Sequence, residues 1–301
     1  MAGDIQGIAA SKAAEIRAAL DRIEAEEAVR ILYACESGSR AWGFESENSD
    51  FDVRFIYVRP PAWYLTIQRK RDVIERAIDE DLDISGWDLP KALELLRKSN
   101  PPLLEWLQSP IVYREVGPAA TRLRGLMPSY YAPISCMYHY LHMAQGNSRQ
   151  YLQGKEVWVK KYFYVLRPVL ACLWIEHGFG VVPTEFRVLV DRVVTDPALS
   201  RAIDELLARK QAGQELDRGP RIPEISGFLD RELSRLSVVR QAPAETRDPA
   251  ALDRLLVDLL AETYGDRLTD PGVPGKNSVA TGLWGVGTCR QGRGRRENLA
   301  R

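Results

Sequence analysis

Apolar residues follow two rhythms along this chain, and the change falls near residue 115. Ahead of that point they come in short dense runs: VRILYACES at 29–37, FDVRFIYVR at 51–59, DVIERAI at 72–78 and LDISGW at 82–87. Runs of this length, rich in β-branched and aromatic residues and bounded by Gly, Pro, Asn or Asp, predict strands. A helix is predicted ahead of them over 9–27, where Ile16, Leu20 and Ile23 recur at helical spacing. SRAWGF, just after Gly38, predicts a short helix, and SENSD at 46–50 predicts a turn. Asp88 stands where an N-cap belongs for LPKALELLRKS, with Pro90 in its first turn. Asn100-Pro101-Pro102 stops that helix, and LLEWLQS begins another.

After residue 115 strand signals become rare and helical spacing takes over, predicting helices over 134–148, 149–176, 183–192, 197–211, 223–237 and 248–264. The expected class is α+β: a small mixed sheet with flanking helices over residues 1–115, then an all-helical domain over 116–265. Residues 266–301 are rich in Gly, Arg and Asn without periodicity, and are expected to be disordered.

Composition narrows the picture. A chain of 301 residues that is 45% apolar can bury a sizeable core. Its formal net charge is zero, which excludes a broadly basic nucleic-acid coat and leaves room only for a local patch. Cys35, Cys136, Cys172 and Cys289 show no CxxC spacing and read as reduced thiols of a cytosolic protein. The N-terminus lacks an apolar signal-peptide core. The most apolar stretch, 162–175, is interrupted by Arg167 and Pro168 and is too short to span a bilayer. A cytoplasmic protein without a membrane partner is expected.

The chemistry concentrates in SGSRAWGFESENSDFDVRF, residues 37–55. On a strand, residues two apart share a face, so Asp50 and Asp52 point the same way, with Phe51, Val53, Phe55 and Tyr57 opposite. Two carboxylates so close repel unless a cation bridges them. Mg²⁺ suits such oxygen donors, and two ions can clamp the attacking and leaving oxygens of a phosphoryl displacement. Gly38-Ser39 supplies a close-approaching backbone and a hydroxyl for phosphate, and Arg40 adds charge. Asp83, between two apolar residues of a later strand, is a candidate third carboxylate; Asp88 has a similar setting, which the N-cap role also explains. Arg54 shares the acids' face and either contacts phosphate or balances their charge. A Gly-Ser pair or a D-x-D alone is common; their order and spacing together carry the signal.

That arrangement resembles the DNA polymerase beta-like nucleotidyltransferase superfamily. The pieces ESGSRAWGFESENSDFDVRFIYVRP, DISGWDLPKALELLRKSNPPLLEWLQSPIVY and KKYFYVLRPVLACLWI are similar, more narrowly, to the RNA-ligase-associated (RlaP/YcgL-like) predicted nucleotidyltransferases. The likeness spans residues 36 to about 175 and is compatible to about 265. It implies transfer of a nucleoside monophosphate from a nucleoside triphosphate to a hydroxyl, with pyrophosphate released. It also implies Mg²⁺, as two ions with Mn²⁺ an alternative, held by Asp50, Asp52 and Asp83, and a triphosphate held at Gly38 and Ser39.

In the helical half, Lys160, Tyr164 and Arg167 fall at i, i+4 and i+7 with Lys161 beside them. Such a face suits a triphosphate and a stacked base, and a solvated basic face would read the same way. His139 and His142 lie three apart without a completing ligand, and Trp87, Trp106, Trp158 and Trp174 read as core or interface anchors. An RNA 3′ end, a small-molecule hydroxyl and a protein side chain are the candidate acceptors. A nucleotide sensor without turnover, and a toxin–antitoxin type transferase acting on protein or tRNA, are the competing readings.

Overall fold

The computed structural model describes residues 7–68, 70–76, 81–214, 216–238 and 247–265. The expected strands assemble into one five-stranded mixed sheet. β1 (Arg30–Glu36) pairs antiparallel with β2 (Phe51–Val58), and β2 runs parallel to β4 (Leu82–Asp88). β3 (Val73–Glu75) borders β4, and β5 (Val112–Glu115) borders β1, giving the order β3-β4-β2-β1-β5. Residues 77–80, at the end of the expected 72–78 strand, lie outside the described residues, as does the expected disordered tail.

Alternation along β2 sorts its side chains onto two cores. Phe51, Val53, Phe55 and Tyr57 pack with Ile16, Leu20 and Ile23 of α1 (Ala10–Glu27). Ile56 and Val58, from the other face, join a larger core built with the helices. Those helices are α3 (Leu89–Arg97), α4 (Pro101–Leu107), α5 (Ala119–Tyr130), α6 (Pro133–Tyr151), α7 (Tyr162–Glu176), α8 (Phe186–Val193), α9 (Pro197–Gln211), α10 (Pro223–Leu236) and α11 (Ala250–Tyr264). Sheet and helices thus share apolar packing within one compact unit, Met1–Thr269. Asp52 and Arg54 lie on the β2 face that looks toward the helices, the face of Ile56 and Val58.

The structure departs from the expectations in three places. The expected single helix over 149–176 is interrupted: Gly154 takes a left-handed φ of +90°, and Glu156–Trp158 form β6, which pairs with β7 (Arg218–Pro220). Val157 is buried between exposed Glu156 and Trp158, so alternation prevails over helical period there. The C-terminal half is therefore mostly rather than wholly helical. Pro101 and Pro102 open α4 rather than merely ending α3, because Asn100 caps it by accepting the Leu103 N–H at 3.2 Å. β5 and α5 were not foreseen, the first because four residues are too few for a pattern. Among the described residues no helix is long and apolar enough to cross a membrane.

Candidate active site

β1 ends at Glu36, and the chain turns at once into a four-residue helix, α2 (Gly38–Ala41). The turn is forced against β2. The Ser37 N–H donates to the Asp52 carbonyl at 2.8 Å, and the Asp52 N–H donates to Glu36 Oε1 at 2.8 Å. Gly38 has φ +59°, and a Cβ there would lie 2.0 Å from Asp52 Oδ2. Only glycine fits both the backbone and the carboxylate behind it. The Gly-Ser motif and the D-x-D motif are therefore two halves of one contact.

Asp52 and Asp83 are register partners on β2 and β4. Arg54 Nη2 donates to Asp52 Oδ1 at 3.1 Å and to Asp83 Oδ2 at 2.7 Å, while Nη1 reaches the Asp83 carbonyl at 3.0 Å. The guanidinium thus holds the two carboxylates around one positive nitrogen. Burial pushes the Asp52 carboxyl up, Arg54 opposes that, and Asp83 and Asp50 reinforce it. Asp50 is exposed, one residue before β2. Arg40 supports the backbone there, donating to the Ser49 carbonyl at 2.6 Å and the Asp50 carbonyl at 3.2 Å while lying 3.8 Å over the Phe51 ring. Ser39 is buried inside α2.

Asp88 is elsewhere. It pairs with Tyr57 in the register, five positions beyond the Asp52–Asp83 pair, about 16 Å along the strand. It occupies the N-cap position of α3, yet its carboxylate makes no capping bond and accepts from the Tyr64 hydroxyl at 2.6 Å. Burial raises it to about 6. Geometry therefore brings Asp83, not Asp88, to Asp52.

The expected three-carboxylate metal cluster is not assembled: among the described residues no group of three or more His, Cys, Asp or Glu side chains is arranged to hold a metal. The pair still fits a hard cation by chemistry. Both donors are oxygens, they converge on a single cationic nitrogen, and Mg²⁺ is commonly held by one or two carboxylates, with water and substrate phosphate completing its shell. Loading that position requires Arg54 to leave it.

A second wall comes from α7 and the short 3-10 turn before it, Val159–Lys161. Tyr164 is half-buried and meets Trp42, at the end of α2, edge-on at 5.9 Å. Its hydroxyl is pushed up by burial, and further by the charges of Asp52 and Asp50. Lys161 Nζ lies 4.6 Å from the Tyr164 ring and 4.7 Å from the Tyr151 ring. Lys160 is exposed on the same turn.

Arg167 does not share that exposed face. It is 1% exposed, and Nη1 donates to Glu105 Oε1 at 2.7 Å while Nη2 donates to the Thr184 carbonyl at 3.1 Å. Helical spacing placed it beside Tyr164, but α7 is buried almost all round, so one face carries no meaning there. Glu105 also accepts from Tyr140 at 2.8 Å and from the Trp42 indole at 3.2 Å. Arg167 thus anchors the end of α2 through Glu105 and Trp42.

Sequence reasoning passed over Glu36 and Glu105. Glu36 is fully buried, accepts from the Tyr113 hydroxyl and the Asp52 N–H, and is raised to about 7 by burial. Its signal was available: an acid inside an apolar strand immediately before Gly-Ser. Glu105 gave none, because LLEWLQS reads as any amphipathic helix.

The chain is 49% identical over 249 residues to an uncharacterised protein, YcgL, of Bacillus subtilis (strain 168), covering 82% of this chain and 96% of that protein. A crystal structure of a nucleotidyltransferase-like protein from Exiguobacterium sibiricum aligns over 83% of this chain and 90% of its own, at 13% identity and a TM-score of 0.31. The model of the RlaP family, RNA repair pathway DNA polymerase beta family, matches residues 13–258, and the chain belongs to that family.

Proposed function

We propose that the protein transfers a nucleoside monophosphate from a nucleoside triphosphate to a hydroxyl acceptor, releasing pyrophosphate. The observation that carries this reading is the convergence of Asp52 and Asp83 beside a glycine that its backbone and the Asp52 carboxylate both require. Asp52 and Asp83 would hold Mg²⁺, with Asp50 as the further donor, and the bound ion would neutralise phosphate charge and ease ionisation of the hydroxyl. Gly38 and Ser39 bring backbone and hydroxyl to the phosphates, while Arg40 steadies the loop that carries Asp50. Lys160 and Lys161 supply positive charge, and Tyr164 offers a ring for the base. The acceptor oxygen bonds to the α-phosphorus, the bond to the pyrophosphate oxygen breaks, and the hydroxyl proton passes to solvent. The RNA repair description of the family favours an RNA 3′ end as acceptor.

One observation favours a second reading, a nucleotide-binding module without turnover: Arg54 already occupies the place between the carboxylates. The deciding experiment incubates the protein with Mg²⁺ and each α-³²P-labelled NTP, with and without total RNA, on one denaturing gel. Label on RNA that disappears in Asp52→Asn supports transfer to RNA, and label on protein points to a protein acceptor. Nucleotide binding by calorimetry with no label on any acceptor supports the module. Transfer at the wild-type rate by Asp52→Asn sinks the mechanism.

A further inference from the structure

Lys210 closes α9 and is 5% exposed. Its Nζ lies 5.3 Å from the centre of the Phe44 ring. Among the described residues no carboxylate lies within ion-pair distance of it, whereas the other arginine or lysine buried to a similar degree, Arg59 and Arg167, each hold a glutamate. Burial lowers its pKa to about 8; Lys160 and Arg40 add to that, and only Glu45 opposes them. Its stem is packed while the ammonium tip still reaches solvent, so the charge is presented there without an ion-pair partner.

Its surroundings point to an anion. Phe44 belongs to the loop that closes α2, its N–H donating to the Ser39 carbonyl at 3.1 Å. Lys210 therefore packs on the ring of the residue whose backbone closes α2. Lys160 and Lys161 also lack a carboxylate partner among the described residues. Three lysines from two segments of the helical half, the Val159–Lys161 turn and the end of α9, thus stand without an ion-pair partner, and Lys160 and Lys210 raise each other's cost of being charged, which an arriving anion relieves. The charges acting on Lys210 are those of Lys160, Arg40 and Glu45, not those of Asp52 or Asp83.

Resting on the nucleotidyl-transfer reading, we propose that Lys210, with Lys160, holds the pyrophosphate end of the bound nucleoside triphosphate, away from the carboxylates where the α-phosphate reacts. Lys210 then gives the site its preference for a triphosphate over a monophosphate.

The test is calorimetry of the wild type, Lys210→Met and Lys210→Arg with Mg²⁺ and inorganic pyrophosphate, a probe independent of base preference, then with ATP and AMP. In Lys210→Met, pyrophosphate binding falls about tenfold or more, as loss of one charge-assisted contact requires. AMP binding stays unchanged, and Lys210→Arg keeps most of the affinity. The unliganded Lys210→Met protein melts within a few degrees of the wild type, showing an intact fold. Unchanged pyrophosphate and ATP binding in Lys210→Met, against a wild type that binds both, overturns the proposal and leaves the nucleotidyl-transfer reading standing. A wild type that binds neither pyrophosphate nor any NTP overturns both. If Lys210→Met is unfolded, Lys210→Gln decides: loss of pyrophosphate binding comparable to that of Lys160→Met, with AMP binding unchanged, supports a phosphate contact, and unchanged pyrophosphate binding refutes it.

Discussion

Gly38→Ala tests whether the Gly-Ser and D-x-D motifs form one contact. Two penalties arise. The backbone stands at φ +59°, which disfavours an L-residue by about 1–2 kcal/mol. The new Cβ would also lie 2.0 Å from Asp52 Oδ2, when ordinary contact begins near 3.4 Å, so the carboxylate must retreat by about 1.4 Å. Overpacking of this kind costs about 1–3 kcal/mol. Gly43→Ala provides the control, since Gly43 has φ +79° but no atom within 4 Å of its would-be Cβ. It loses only the backbone part. The sum for Gly38→Ala, about 2–5 kcal/mol, lowers the melting temperature by roughly 4–15 °C.

A double-mutant cycle isolates the contact. In an Asp52→Ala background the carboxylate is gone, and Gly38→Ala loses only the backbone part, giving a coupling of about 1–3 kcal/mol. Urea denaturation of the four proteins of the cycle measures it. Nucleotidyl transfer by Gly38→Ala falls about a hundredfold, because a displacement of about 1 Å in a positioned group has that effect. Equal losses for Gly38→Ala and Gly43→Ala, with no coupling to Asp52→Ala, would refute the reasoning.

Other outcomes follow from the buried charges. Glu36, raised to about 7, keeps in the folded state a proton that the unfolded chain releases near pH 4.5, so its stabilisation is complete below pH 4.5 and lost as pH rises through about 7. That loss reaches about 3 kcal/mol and is absent in Glu36→Gln, read as the urea midpoint against pH relative to wild type, since Asp88 titrates in the same direction. Arg167→Met leaves Glu105 buried and unpaired, lowering stability by about 3–5 kcal/mol, and adding Glu105→Gln restores much of it. Arg54→Gln removes the internal cation between Asp52 and Asp83, so Mg²⁺ raises the melting temperature more than in wild type.

What the sequence made legible follows from the range of each interaction. Strands of seven or eight residues were readable, β1 as a dense apolar run and β2 and β4 through alternation, as was the pairing of a Gly-Ser turn with D-x-D, because these are local patterns. The choice of Asp83 over Asp88 was not, since it depends on the parallel register of β2 and β4 across 31 residues of chain. Arg167 was misread because periodicity identifies a shared face only when the opposite face is wet, and α7 has almost no wet face. Lys210 and Glu105 were invisible because their burial is created by segments far away in the chain, Phe44 for the one and Arg167 for the other.

Several of the places where this chain breaks the ordinary rules of stability gather around one element. A glycine held at positive φ, an acid buried in a strand, two facing carboxylates, a buried arginine–glutamate pair and a buried lysine without a partner all surround α2, a helix of only four residues. Natural sequences concentrate such conflicts where function demands them and keep the remainder locally consistent. The charges also divide there by element: acids come from the strands, at Glu36, Asp52 and Asp83, while the unneutralised lysines come from the helical half, at Lys160, Lys161 and Lys210. The proposed metal-bound nucleoside triphosphate would meet both sides, carrying negative charge toward the helices and a cation to the strands.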